Sequence, residues 1–227
     1  MKTKIFVLAL GLIFNFSLLH SQHSIPKVNL AIHLQPHINW IHGDESFIGE
    51  APVRMGIEGG LRLDFRAQRF YAWSLGVNLN QTGGNILYND VLVLDLDKGR
   101  DTLRSGTKVT YNLQYVEIPV ALKFFLPEIG YSTWFAEIGL DPMWNIRALI
   151  NANDNNVEKE PFQQGVAKFN LAYHTGIGIH YSLGGRLSLQ FALLYKNTFL
   201  DITRENEIRK ADNLRINQIG LNIGLVF

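Results

Sequence analysis

Three features of the 227-residue sequence predict an all-β chain, an eight-stranded antiparallel up-and-down transmembrane β-barrel. A two-residue period dominates after residue 26, the mark of strands and not helices. Short turns alternate with long polar connections, as in a membrane meander. Glycine and charge collect on the face opposite the apolar one.

The elements follow in chain order. Lys2 and Lys4 precede an apolar run, IFVLALGLIFNFSLL, from Ile5 to Leu19, and HSQHS follows it. A basic start, a short apolar stretch and small residues describe a secretory signal peptide. The run is short for a membrane-spanning helix, which needs about 20 apolar residues. Cleavage is expected after Ser21, giving a signal peptide over 1–21 and a barrel domain over 22–227. No periplasmic domain is expected after the last strand.

Eight periodic runs then succeed one another. The first, Lys27 to Trp40, has Val28, Leu30, Ile32, Leu34 and Ile38 on one face. The second, Pro52 to Phe65, alternates through Val53, Met55, Ile57, Leu61 and Leu63. The third, Arg69 to Asn80, carries Tyr71, Trp73, Leu75, Val77 and Leu79. The fourth, Lys108 to Phe125, contains YVEIPVALKFF. The fifth, Tyr131 to Arg147, presents Trp134, Ala136, Ile138, Leu140 and Trp144. The sixth is Val166 to Tyr181, the seventh Arg186 to Asn197 and the eighth Leu214 to Phe227. Runs two and three, four and five, and six and seven meet through a few residues each. The remaining connections, Ile41 to Ala51, Gln81 to Thr107, Ala148 to Gly165 and Leu200 to Asn213, are longer. Within the second of these, VLVLDLDK alternates and predicts a hairpin beyond the membrane.

Alternation alone does not say which face is inside; a soluble lipocalin-like barrel has the opposite sense. Glycine separates the two. Gly56, Gly60, Gly76, Gly139, Gly176, Gly178, Gly220 and Gly224 all fall on the polar face. A narrow barrel lumen needs small residues, whereas a water-facing surface does not. The polar face is therefore read as the lumen. It collects Arg54, Glu58, Arg62, Asp64, Glu117, Lys123, Glu137, Asp141, Lys168, Arg186 and Lys196, five carboxylates against six cations. His33, His37, His174, His180 and Gln190 share it. Near balance predicts mutual pairing, because isolated buried charges are costly. The expected lumen is plugged, not open. Trp40, Tyr71, Trp73, Trp134, Trp144, Tyr173, Tyr181 and Phe227 lie on the lipid-facing set, several near strand ends where interfacial girdles form.

Pro119 stands within the fourth run. A closed barrel offers no free edge to accommodate a missing N–H, so a bulge or a skipped hydrogen bond is expected there. Glu117 and Lys123 are expected to pair across strands and not with each other.

Composition narrows the function. Charged residues make up 18% and the formal net charge is +1, without the basic excess of nucleic-acid binders. The absence of cysteine removes disulfides, thiolate metal sites, cysteine nucleophiles and lipidated cysteines. No cofactor is expected. Asp95, Asp97 and Asp101 supply carboxylates, the ligands calcium prefers, but DLDKGRD lacks the EF-hand spacing. His42, Asp44, Glu45 and Ser46 cluster in the first long connection, and read as an ordinary polar turn. A lipid-modifying hydrolase with His42 and Ser46, and a narrow channel, stand as alternatives to a non-enzymatic barrel with partner-binding loops.

YVEIPVALKFF closely resembles the (Y/I)-E-I-P-hydrophobic-K-(Y/F) strand of the PorT-like outer-membrane β-barrel family of Bacteroidetes. MGIEGGLRLDF is similar to that family's glycine-rich second strand. INQIGLNIGLVF, ending in Phe227, resembles the C-terminal signal read by the barrel-assembly machinery. The resemblance, over roughly residues 27–227, implies an eight-stranded barrel in a Gram-negative outer membrane. It implies outer-membrane lipid and the assembly machinery as partners, and a role in protein secretion for the name-giving member. It implies no reaction.

Overall fold

A computed structural model of the chain describes residues 27–43, 48–49, 51–89, 92–96, 99–153, 157–204 and 213–227. The expected signal peptide and its cleavage site lie outside the described residues. The strands in chain order are β1 (Lys27–His42), β2 (Ile48–Gly49), β3 (Arg54–Gln68), β4 (Tyr71–Tyr88), β5 (Leu92–Leu96), β6 (Gly99–Leu103), β7 (Thr107–Glu117), β8 (Val120–Phe125), β9 (Ser132–Ala152), β10 (Val157–Pro161), β11 (Phe169–Gly184), β12 (Leu187–Thr198) and β13 (Arg215–Val226).

Pairing is antiparallel throughout. β1 pairs with β3 and β13, β3 with β4, and β4 with β7 and then β8. Both of those pair with β9, which leads through β11 and β12 back to β13. Counting β7 and β8 as one strand interrupted at Ile118 and Pro119, this is a ring of eight. The short β2 and β10 add to β4 and β9. β5 and β6 form a separate hairpin where VLVLDLDK alternates.

The sidedness follows the glycine argument. On β8 and β9 the outward set Val120, Phe124, Trp134, Ile138, Leu140 and Trp144 is exposed, while Lys123, Glu137 and Asp141, with Glu117 at the end of β7, are buried. A Cβ added at Gly60 would stand 2.2 Å from Asn78 Oδ1, and one at Gly139 2.4 Å from the His174 ring. Neither position has room for a side chain.

β7 shows where the membrane ends. Its outward residues are Lys108, Thr110, Asn112 and Gln114, followed by Val116, Ile118, Val120, Leu122 and Phe124 along β8. Its inward residues change in the opposite sense. Val109, Tyr111, Leu113 and Tyr115 are buried and apolar, then come Glu117 and Lys123. Polar-in and apolar-out holds in lipid; the reverse holds where the wall stands in water. The inversion falls between Gln114 and Val116. The sequence expectation ended the third run at Asn80 and the fifth at Arg147. The strands instead run on to Tyr88 and Ala152, because the periodic pattern inverts there and does not stop. Trp134 and Trp144 bracket the lipid band on β9. Ten residues at a rise of about 3.4 Å, tilted by ~45°, span about 25 Å, the height of an outer-membrane apolar band.

Pro119 skips a bond and makes no bulge. The register of β7 against β4 and β9 continues unchanged into β8. Gly76 N–H donates to Pro119 O at 3.0 Å and Ile118 N–H to Pro142 O at 2.9 Å. The reciprocal bond to Gly76 O has no N–H to make it.

Candidate functional site

The candidate site is the lumen. Alternation along each strand turns the charged residues inward, and the ring is narrow enough for them to touch across it. Lys196 on β12 is the hub. Its Nζ lies 2.7 Å from Glu58 Oε2 on β3, 2.6 Å from Glu117 Oε2 on β7 and 3.4 Å from Asp141 Oδ2 on β9. These strands are two or three places away around the ring. Arg62 on β3 reaches Glu137 on β9 at 3.0 Å. Lys123 Nζ contacts Asp64 at 2.9 Å and Glu137 at 3.8 Å. Glu117 and Lys123 therefore pair across strands with Lys196 and Asp64.

Neutral donors complete the coordination. Asn78 Nδ2 donates to Glu58 at 2.5 Å and Asn80 Nδ2 to Glu117 at 2.7 Å. His174 Nδ1 lies 2.8 Å from Asp141 Oδ1. Gln190 accepts from His180 at 2.9 Å and donates to Asn222 at 2.7 Å. His37 Nδ1 and Nε2 sit 2.6 Å from Asn39 Oδ1 and 3.1 Å from Asn80 Oδ1.

Three expected members are placed otherwise. Lys168 is exposed in the bend before β11, and Arg186 is exposed in the turn before β12. Both carry the inward phase of the sixth and seventh periodic runs, which begin up to three residues before the strands, where no ladder imposes the two-residue period. Arg54 is half-buried at the start of β3 and donates to Tyr111 O at 3.2 Å, apart from the network. Three buried cations thus face five buried carboxylates: Arg62, Lys123 and Lys196 against Glu58, Asp64, Glu117, Glu137 and Asp141. Asn78, Asn80 and His174 supply donors that the missing cations do not. The asparagines were legible only as inward positions of β4; their partners depend on the ring.

Apolar clusters close the network at both ends. Ala72, Phe125, Phe135, Ala192 and Leu194 pack at the short-turn end. At the long-connection end Ile86, Tyr88, Tyr111, Ile150, Phe162, Ile202 and Leu214 form a larger buried cluster, with the Tyr88 and Tyr111 hydroxyls 3.0 Å apart. TKVTYNLQY carries the pattern of this upper plug, with Val109, Tyr111, Leu113 and Tyr115 inward, but the partners that bury it come from distant strands.

The other candidate chemistry falls largely outside the described residues. His42 ends β1, while Asp44, Glu45 and Ser46 lie outside the described residues. Asp97 also lies outside them; Asp95 pairs with Arg100, and Asp101 with Leu94, in the backbone register of β5 and β6. Among the described residues, no group of three or more His, Cys, Asp or Glu is arranged to hold a metal ion.

The sequence profile of the family described as outer membrane protein beta-barrel domain matches residues 14–195. No curated protein matches the sequence. Solved structures with a similar strand layout include Ail, the attachment invasion locus protein of Yersinia pestis, at 11% identity and TM-score 0.42, covering 88% of this chain and 99% of that one. Neisserial surface protein A is 8% identical with TM-score 0.45, covering 86% and 96%. OprG of Pseudomonas aeruginosa is 12% identical with TM-score 0.46, covering 90% and 97%. None of these similarities assigns a function.

Proposed function

The chain belongs to the outer membrane protein beta-barrel domain family and resides in the outer membrane, and we propose that it is a non-enzymatic, non-conducting barrel whose extracellular segments bind a partner. The observation that carries this reading is the filled lumen. Side chains from strands as far apart as β3 and β9, or β12 and β7, meet at hydrogen-bonding distance, and apolar clusters lie above and below them. A continuous water path would have to displace both clusters and separate buried ion pairs, which is unfavourable. Purified protein in planar bilayers should give no steady single-channel steps. Steady steps would replace this reading with a narrow channel.

The partner-binding element is the segment between β4 and β7, where β5 and β6 form a two-stranded hairpin that pairs with no other strand among the described residues. Exposed strand edges favour partners that add a strand. The resemblance of YVEIPVALKFF to the PorT-like family of Bacteroidetes favours a secretion partner. A variant with 92–103 replaced by a short Gly-Ser linker should still reach the outer membrane yet lose the secretion phenotype. A secretome identical to that of the wild type would count against this role. Phe227 serves the assembly machinery in this reading, so deleting it should lower the folded outer-membrane level; an unchanged level would refute that assignment.

A further inference from the structure

Just above the lipid band, the wall carries a cleft of about 520 Å³. Strand register fixes its place beside the lipid-facing surface. Gln81, Gln114 and Arg147 are directly paired neighbours across β4, β7 and β9, and Ile57 on β3 joins the same row. Two residues lower, Leu79, Val116 and Trp144 form the corresponding lipid-facing row. The cleft therefore straddles the boundary between water and lipid. It lies on the side of the long connections, which is the extracellular side of such barrels.

Its walls are chemically divided. Arg54, Arg147 and Lys159 supply three cations, and no carboxylate lines it among the described residues. The cations are held from different elements. Arg54 donates to Tyr111 O at 3.2 Å. Lys159 is fixed through its backbone N–H to Asn151 Oδ1 at 2.7 Å. Arg147 stands at a register shift between β7 and β9. Beside them Met55 and Ile57 are strongly exposed, and below them Leu79 and Trp144 continue the lipid-facing surface. A cationic upper wall, amide groups from Gln81, Asn112 and Gln114, and an apolar floor match one molecule in three parts: phosphate, sugar hydroxyls and acyl chain.

We propose that this cleft binds the phosphorylated headgroup of an outer-leaflet glycolipid, with the phosphate between the three cations and an acyl chain along Ile57 and Val116. Guanidinium groups suit phosphate oxygens in bidentate geometry, and the boundary position favours a lipid over a free anion.

The test is binding by the full chain, purified in mild detergent and followed by native mass spectrometry. The probes are bis-phosphorylated lipid A, its dephosphorylated form and inorganic phosphate. The phosphorylated glycolipid should bind, and Arg147→Ala/Lys159→Ala should weaken it by at least about tenfold. Arg147→Lys, which keeps the charge but loses the bidentate fork, should bind more weakly than the wild type and more tightly than Arg147→Ala, and Arg69→Ala, at the opposite end of the barrel, should bind as the wild type does. Wild-type affinity in the double variant, with the gel mobility of a folded barrel, would overturn the proposal. Equal binding of the dephosphorylated glycolipid would do the same, and so would mole-for-mole competition by inorganic phosphate. If the double variant does not fold, Arg147→Gln alone is read by the same criteria.

Discussion

Replacing Lys196 with methionine keeps an unbranched apolar stem and removes one ammonium from the lumen. That ammonium makes two short contacts, at 2.7 Å with Glu58 and 2.6 Å with Glu117, and a longer one at 3.4 Å with Asp141. Each short contact carries roughly 6 kcal/mol of gross Coulomb attraction at an effective dielectric near 20. Most of that is offset by desolvation of the ammonium itself. What the variant leaves behind decides the net effect: two buried cations facing five carboxylates, in place of three. Removing one partner of a buried pair costs about 3–5 kcal/mol. The lower end applies, because Asn78, Asn80 and His174 still hold the three carboxylates. The expected loss is about 3 kcal/mol. Urea unfolding of the protein refolded into phospholipid vesicles measures it, read by tryptophan fluorescence and by the mobility of unheated samples in gels. Adding Glu117→Gln returns the carboxylate excess to its wild-type value of two and should restore about 1–2 kcal/mol to the single variant. A Lys196→Met protein within ~1 kcal/mol of wild type, below the loss expected for a broken buried pair, would refute the reasoning. Further destabilisation by Glu117→Gln would refute it equally.

Other expected outcomes use the same assay. Gly139→Val places methyl groups where even a Cβ would stand 2.4 Å from the His174 ring and 2.7 Å from Ala121 Cβ; overpacking should cost ~1–3 kcal/mol or more, and full stability would show the lumen to be wider than described. Pro119→Ala supplies the N–H that Gly76 O lacks, worth about 0.5–1.5 kcal/mol, while loosening the unfolded chain by ~0.4–1 kcal/mol; a net change within about 1 kcal/mol is expected, and a large loss would mean that Pro119 packing matters more than its missing bond. Ile138→Arg, in the middle of the lipid band, should cost ~2–4 kcal/mol, whereas Asn112→Arg, above the inversion, should cost ~0–1 kcal/mol. Equal costs at the two sites would place the membrane boundary elsewhere.

Much of this architecture is written in the sequence because strand periodicity is local. Val116, Ile118, Val120, Leu122 and Phe124 face one way and Glu117 and Lys123 the other whatever the rest of the chain does. Glycine then distinguishes lumen from lipid, since a Cβ at Gly60 or Gly139 meets atoms of other strands. The same local rule fails at strand ends. Lys168 and Arg186 have the inward phase of their runs but sit in a bend and a turn, where no ladder holds that phase. It also misleads where the solvent changes along a strand: Tyr111 and Tyr115 are buried in the same row as Glu117, and only the switch from polar to apolar outward neighbours shows that the wall has left the membrane.

The sequence by itself therefore determined the fold class, the lipid-facing side and the inward direction of eight of the charges. The tertiary structure alone decided who meets whom. Lys196 contacts Glu58 and Glu117, 138 and 79 positions away in the chain, because ring closure and strand stagger bring β12 opposite β3 and β7. No local periodicity encodes that stagger, since it is set by the pairing of all eight strands at once.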